Sequence, residues 1–168
     1  QGQPAPQLRG HYLCEQAEAA VASCDQAAAG ALYEQALRDR PRDLRALMGL
    51  VRCALEAGDA TLAMEYFHRV MDSERRCTPE MLDLLRAICA AQEEPSLYMT
   101  SLERYYNQQH SPLLALALAE ELSQRNGREI ADEFLRATLN QHPSASVAAS
   151  LALNALRSED SKPECHVL

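Results

Sequence analysis

Residues 44–77, LRALMGLVRCALEAGDATLAMEYFHRVMDSERRC, read as two amphipathic helices parted by a Gly58-Asp59 turn. The same grammar recurs on either side. Ala63 and Phe67 in this stretch answer to Ala29 and Tyr33 one period of 34 residues earlier, and to Ala131 and Leu135 two periods later. Pro41 closes the unit before it, and Pro143 closes another three periods on. Small residues returning at a fixed spacing mark places where two helices touch, and a period of this length is the signature of stacked helical hairpins.

Working outward from that unit, the phase places openings near Gly10, Leu44, Thr78 and Pro112, with a partial fifth near Ser146. The expectation is an all-α, tetratricopeptide (TPR)-type superhelical solenoid over residues 10–156, made of four hairpins and a closing helix. In the first helices of the units, the fourth residue is Leu13, Leu47, Met81 or Ala115 and the eighth is Ala17, Val51, Leu85 or Ala119. The eleventh is Ala20, Ala54, Ile88 or Leu122. These positions form an apolar stripe at helical spacing and belong to the core. Turns are expected at Cys24-Asp25, Gly58-Asp59 and Asn126-Gly127, with Asp25 capping the helix after it. Unit three breaks the rhythm: strict spacing in EPSLYMTSLERYYNQQ (94–109) would bury Ser101 and Arg104, whereas a one-residue shift buries Tyr98, Leu102 and Tyr105. An insertion or altered turn near residues 93–95 is therefore expected. Residues 1–9, opening QGQPAPQ, read as a flexible lead-in, and residues 157–168, RSEDSKPECHVL, as a frayed tail or linker.

Composition narrows the function classes. Of 168 residues, 47% are hydrophobic but only 5% aromatic, with no Trp, so burial must come from many Ala and Leu side chains at close helix contacts. A net charge of −8 repels a phosphate backbone, which argues against nucleic acid as a partner. The longest apolar run, Leu113 to Ala119, is stopped by Glu120 and Glu121 and is far short of the ~20 residues that span a bilayer. With Gln1 first and no charged-then-apolar leader, the chain reads as an excised segment or processed form. Cysteines at 14, 24, 53, 77, 89 and 165 include no CxxC pair, and reduced thiols in a cytosolic setting are expected.

Three stretches carry a more specific likeness: HYLCEQA at 11–17, LRALMGLVRCALEAGD at 44–59, and HSPLLALALAEELSQRNGREIADEFLRATLNQHPS at 110–144. They resemble the lipopolysaccharide assembly protein B (LapB) family of bacterial inner-membrane proteins, over roughly residues 10–156 and within the C-terminal half of that family's repeats. The resemblance implies an adaptor on the cytoplasmic side of the inner membrane. Such proteins help the membrane protease FtsH degrade the deacetylase LpxC and answer to an inner-membrane regulator. The family's membrane tether and its rubredoxin-like zinc module, with two CxxC pairs, have no counterpart here; Lys162, Pro163 and Cys165 echo the start of that module. No cofactor is expected of this segment.

Catalytic and metal chemistry find little footing. His11 and Cys14 share one helical face, and Cys165-His166 form a second partial pair, but structural zinc wants four clustered ligands. A metal-binding protein using Cys165 and His166 is one alternative. There is no GxSxG, no Gly-rich phosphate loop and no Cys motif in a His context, and Glu93-Glu94 and Glu120-Glu121 are helix neighbours that point apart. The chain is expected not to be an enzyme.

Binding is the stronger expectation, because the first helices of a hairpin stack line its inner wall. The phase puts His11, Cys14, Glu18 and Val21 on that wall, then Arg45, Met48, Arg52 and Leu55, then Leu82, Arg86 and Cys89. Unit four adds Leu113, Leu116, Glu120 and Ser123. Apolar positions flanked by Arg45, Arg52 and Arg86 suit a protein or peptide with hydrophobic anchors beside an acidic residue. Alternatively, these arginines solvate an exposed face or pair with Glu18, Glu56 and Glu120. The Lys and Asn clamp by which TPR domains hold chaperone tails is missing, its positions being Glu18, Gly49, Arg52, Asp83 and Glu120. A scaffold in another bacterial envelope assembly, such as secretion or pilus biogenesis, is the rival reading, and homodimerisation through an uncapped end is left open.

Overall fold

The structure, a computed structural model, describes residues 6–94 and 96–160. It is all-α, with no strand among the described residues. The helices are α1 (Pro6–Ala22), α2 (Gln26–Asp39), α3 (Leu44–Glu56), α4 (Ala60–Ser73), α5 (Pro79–Ala91), α6 (Leu97–Gln109), α7 (Pro112–Asn126), α8 (Arg128–Gln141) and α9 (Ala145–Asp160). First helices thus open at Leu44, Pro79, Pro112 and Ala145, each within a residue of the period drawn from the sequence. Helix α1 starts earlier than the expected opening at Gly10, at Pro6, a residue suited to a first helical turn because its missing N–H has no partner to lose there. Helix α9 runs on past 156 to Asp160. Residues 1–5 of the lead-in, Pro95, and the stretch holding Lys162, Pro163, Cys165 and His166 lie outside the described residues.

Local chemistry starts most of these helices. Asp25, Asp43, Asp59 and Thr78 are N-caps whose side-chain oxygens accept from the backbone N–H groups of Ala28, Ala46, Leu62 and Met81. Pro79 and Pro112 occupy first-turn positions. Every hairpin turn bends through a positive φ: Cys24 at 61°, Gly58 at 75°, Glu93 at 56° and Gly127 at 96°. The first two turns are the same motif one period apart, Asp25 N–H donating to Ala20 C=O and Asp59 N–H to Ala54 C=O, both at 2.9 Å. In the third, Glu93 follows Leu85 by eight residues where Gly58 follows Val51 by seven, which is the extra residue that shifts the register of α6.

Two compact units divide between Tyr98 and Met99. In the first, α1 packs on α2, α2 on α3, α3 on α4, and α5 on both α3 and α4. Its core is the expected stripe: Leu13, Ala17, Leu47, Val51, Met81, Leu85 and Ile88 are all buried, against Ala29, Tyr33, Ala63 and Phe67 of the second helices. Each fully buried large side chain contributes ~1.5–3 kcal/mol. Ala20 is half-buried rather than buried, as is Leu122 of the second unit.

In the second unit α7 packs on α8, and α9 packs on both. Ala115, Ala119, Ala131, Leu135 and Val147 are buried there. The shifted register of α6 is present, with Leu102 and Tyr105 buried and Arg104 exposed, and Tyr98 is buried on the first unit's side of the division. Ser101 is buried as well, the one position of the strict spacing that the structure also covers. Tyr106 ties α6 to α8: its hydroxyl donates to Thr138 Oγ1 at 3.2 Å, and its ring meets Phe134 edge-on with centroids 5.5 Å apart.

Candidate partner-binding surfaces

The outward residues of α1, α3 and α5 are joined by charge. Arg45 on α3 reaches back to α1, where Nε and Nη2 donate to the two oxygens of Glu18, each at 2.6 Å, and Nη1 lies 3.2 Å from His11 Nδ1. That bidentate bond holds the Glu18 carboxyl below the ordinary glutamate range and raises the Arg45 guanidinium. Arg52 pairs with Glu80 at the start of α5. Arg86 lies 3.8 Å from Asp83 and donates to the Tyr98 hydroxyl at 3.3 Å, its guanidinium 5.3 Å from that ring's centroid.

None of the three arginines expected to receive an acidic partner is therefore a bare cation. Glu18 is the neighbour foreseen for such pairing, whereas Glu80, Asp83 and Tyr98 take the places offered to Glu56 and Glu120. The reason is geometric: the charged residues that meet across adjacent first helices lie 27 and 28 positions apart, fewer than one period, so Glu80 comes level with Arg52. These pairs are solvent-exposed and worth little individually, so a partner carboxylate could exchange with them.

The apolar positions expected on the same wall divide by depth. Met48, Leu82 and Cys89 are buried and serve as packing, a correction to their place on an open surface. They lie next to the core stripe and are buried with it. Leu55 is half-buried; Arg52 and Arg86 are exposed. Val21, exposed at the end of α1, lines a cavity of ≈ 170 Å³ with Glu18, Tyr33, Gly49, Arg52 and Glu56. Tyr33 forms part of its wall and lies directly against Gly49, where any Cβ would strike its ring. Burial raises the Tyr33 phenol and the Cys14 and Cys53 thiols and lifts Cys77 to about 11, so none is an activated nucleophile. Five cysteines, Cys14, Cys24, Cys53, Cys77 and Cys89, are free thiols. His11 and Cys14 differ in depth: Cys14 is buried, and exposed His11 faces Glu15 at 3.2 Å.

In the second unit, half-buried Leu116 and exposed Glu120 border a larger cavity of ≈ 400 Å³ between α7, α8 and α9. Ala119, Ala131 and Leu135 form its apolar floor, and Ser123, Arg128, Ser150 and Asn154 stand around it. Asn154 is oriented by donating to Asp132 Oδ1 at 2.8 Å. Among the residues lining this cavity, Arg128, Ser150 and Asn154 escaped a reading that followed the inner-wall positions of α1, α3, α5 and α7. The signal that could have found them is the change from Tyr33 and Phe67 to Leu135 at one repeat position.

A tetratricopeptide repeat family model matches residues 15–88. The matched stretch runs from the second half of α1, through α2, α3 and α4, into α5, so the repeat type expected from the period is met there. Such repeats are protein-interaction scaffolds, and the fold is one typical of non-catalytic proteins. Among solved structures, a crystal structure of MamA is similar at 16% identity and a TM-score of 0.49, over 85% of this chain and 86% of that one. No curated protein matches the chain.

Proposed function

We propose that this chain is a non-catalytic TPR scaffold acting as the adaptor segment of a LapB-like regulator of lipopolysaccharide synthesis. It works on the cytoplasmic side of the bacterial inner membrane, needs no cofactor in this segment, and brings the deacetylase LpxC to the protease FtsH under an inner-membrane regulator. The observation that carries the scaffold reading is the pairing of repeat helices that leaves side-chain-lined cavities, one in each unit, open to solvent. Its assignment to lipopolysaccharide control is supported by residues 110–144, the stretch most like that family, which form a complete helix pair, α7 and α8, bounded by the His110 and Ser144 turns.

The test is co-precipitation from detergent-solubilised bacterial membranes, probing for FtsH and LpxC with the wild-type chain and with Arg52→Glu/Arg86→Glu. Retention of both by the wild type and weaker retention by the double variant is the expected result. If neither protein is retained, the assignment to lipopolysaccharide control is lost; if both are retained equally by the variant, the arginine surface of the first unit is not where they bind.

A further inference from the structure

The two cavities described above are the same place in two different repeats. Each lies where a hairpin meets the first helix of the next: α1, α2 and α3 in the first unit, α7, α8 and α9 in the second. Tyr33 and Leu135 occupy one repeat position, three periods apart, and Gly49 and Ser150 are each the sixth residue of their helices, α3 and α9. In the first unit the absent side chain of Gly49 admits the Tyr33 ring, and ≈ 170 Å³ remains. In the second unit the shorter Leu135 and Ser150 both line the space, and ≈ 400 Å³ remains. The difference is on the scale of an aromatic side chain and its surroundings.

Charge differs between the two sites as well. Glu18 in the first is neutralised by Arg45, whereas Glu120, at the same repeat position, and Arg128 are exposed and make no ion pair with any described residue. An apolar floor, one carboxylate, one guanidinium and the hydroxyl and amide groups of Ser123 and Asn154 suit a polypeptide rather than a lipid or a nucleic acid.

We infer that the α7–α8–α9 cavity is a docking site for a partner segment that inserts a Phe or Tyr side chain where Tyr33 lies in the first repeat. A basic residue of that segment meets Glu120 and an acidic one meets Arg128. This rests on the scaffold reading and adds to it the chemistry of what is held.

The test uses the full chain and four probes: the peptides acetyl-Lys-Ser-Phe-Ser-Glu-amide and its reverse-order counterpart, the same with Ala for Phe, and one with Glu on both sides of Phe. Binding is measured by calorimetry and mapped by amide chemical shifts. A Phe peptide carrying both charges should bind with shifts on α7, α8 and α9, and the Ala peptide should lose about tenfold or more in affinity. Leu135→Tyr/Ser150→Gly, which transplants the filled arrangement of the first repeat, should abolish binding with helical circular dichroism and Tm retained. Glu120→Arg, an exposed change that does not depend on repacking, should move the preference to the doubly acidic peptide. No binding of either mixed-charge Phe peptide at millimolar concentration, wild-type affinity in the filled double variant, or unchanged preference in Glu120→Arg would each overturn the inference. The scaffold reading is judged separately, since retention of FtsH and LpxC sensitive to Arg52 and Arg86 would stand even with the cavity empty.

Discussion

At the scale of single residues, backbone and packing requirements sit at a few identifiable positions. Gly49 is one, because the Tyr33 ring lies where its side chain would be. Gly49→Ala should destabilise the chain by ~1–3 kcal/mol, read as a fall in the urea midpoint, since the buried Tyr33 ring would have to leave its packed position to admit the methyl group. Glu93 is the opposite case. It holds φ 56° in a turn where the corresponding Gly58 and Gly127 carry no side-chain penalty, so Glu93→Gly should stabilise by up to about 1 kcal/mol in the same assay. A neutral or destabilising outcome would mean that its side chain repays the strain. Cys24 at φ 61° meets the same cost, which the sequence concealed behind a residue with no turn preference.

Between elements, the bond from Arg45 to Glu18 links α3 to α1 across one repeat boundary. The carboxyl is lowered in the folded state, so its stabilisation is fully present above the ordinary glutamate value of ~4.3 and is lost as pH falls through the lower folded value. Glu18→Gln should therefore lower stability at pH 7 by no more than about 0.5–1 kcal/mol, given that both side chains are over a third exposed, and should narrow the gap to wild type below pH ~4. Thermal melts of both proteins across that range check it. A variant gap independent of pH would mean that the carboxylate's charge is not what joins these helices. The N-caps show why the elements themselves could be read: Asp25 and Asp59 sit one period apart and close the same kind of turn.

For the molecule as a whole, a net charge of −8 combines with arginines of which Arg9, Arg40, Arg45, Arg52, Arg86 and Arg125 pair with local carboxylates. The chain should cause no mobility shift of duplex DNA at 0.1 M salt, and a shift that weakens with added salt would reveal a basic patch that these pairings hide. The helix pairs, their openings and the buried stripe were determined by the sequence alone, because a period of 34 residues with Ala at 29, 63 and 131 constrains which faces can be inside. Even the irregular α6 was legible, since only one register put Tyr98, Leu102 and Tyr105 together. Partner choice was not. Whether Arg52 met Glu56 or Glu80, and whether Met48 and Leu82 lay open or covered, depended on how far neighbouring helices advance on one another, a distance that no spacing within one helix contains. The unequal cavities were decided in the same way: Leu135 on α8 and Ser150 on α9 line one space only because the two helices pack together.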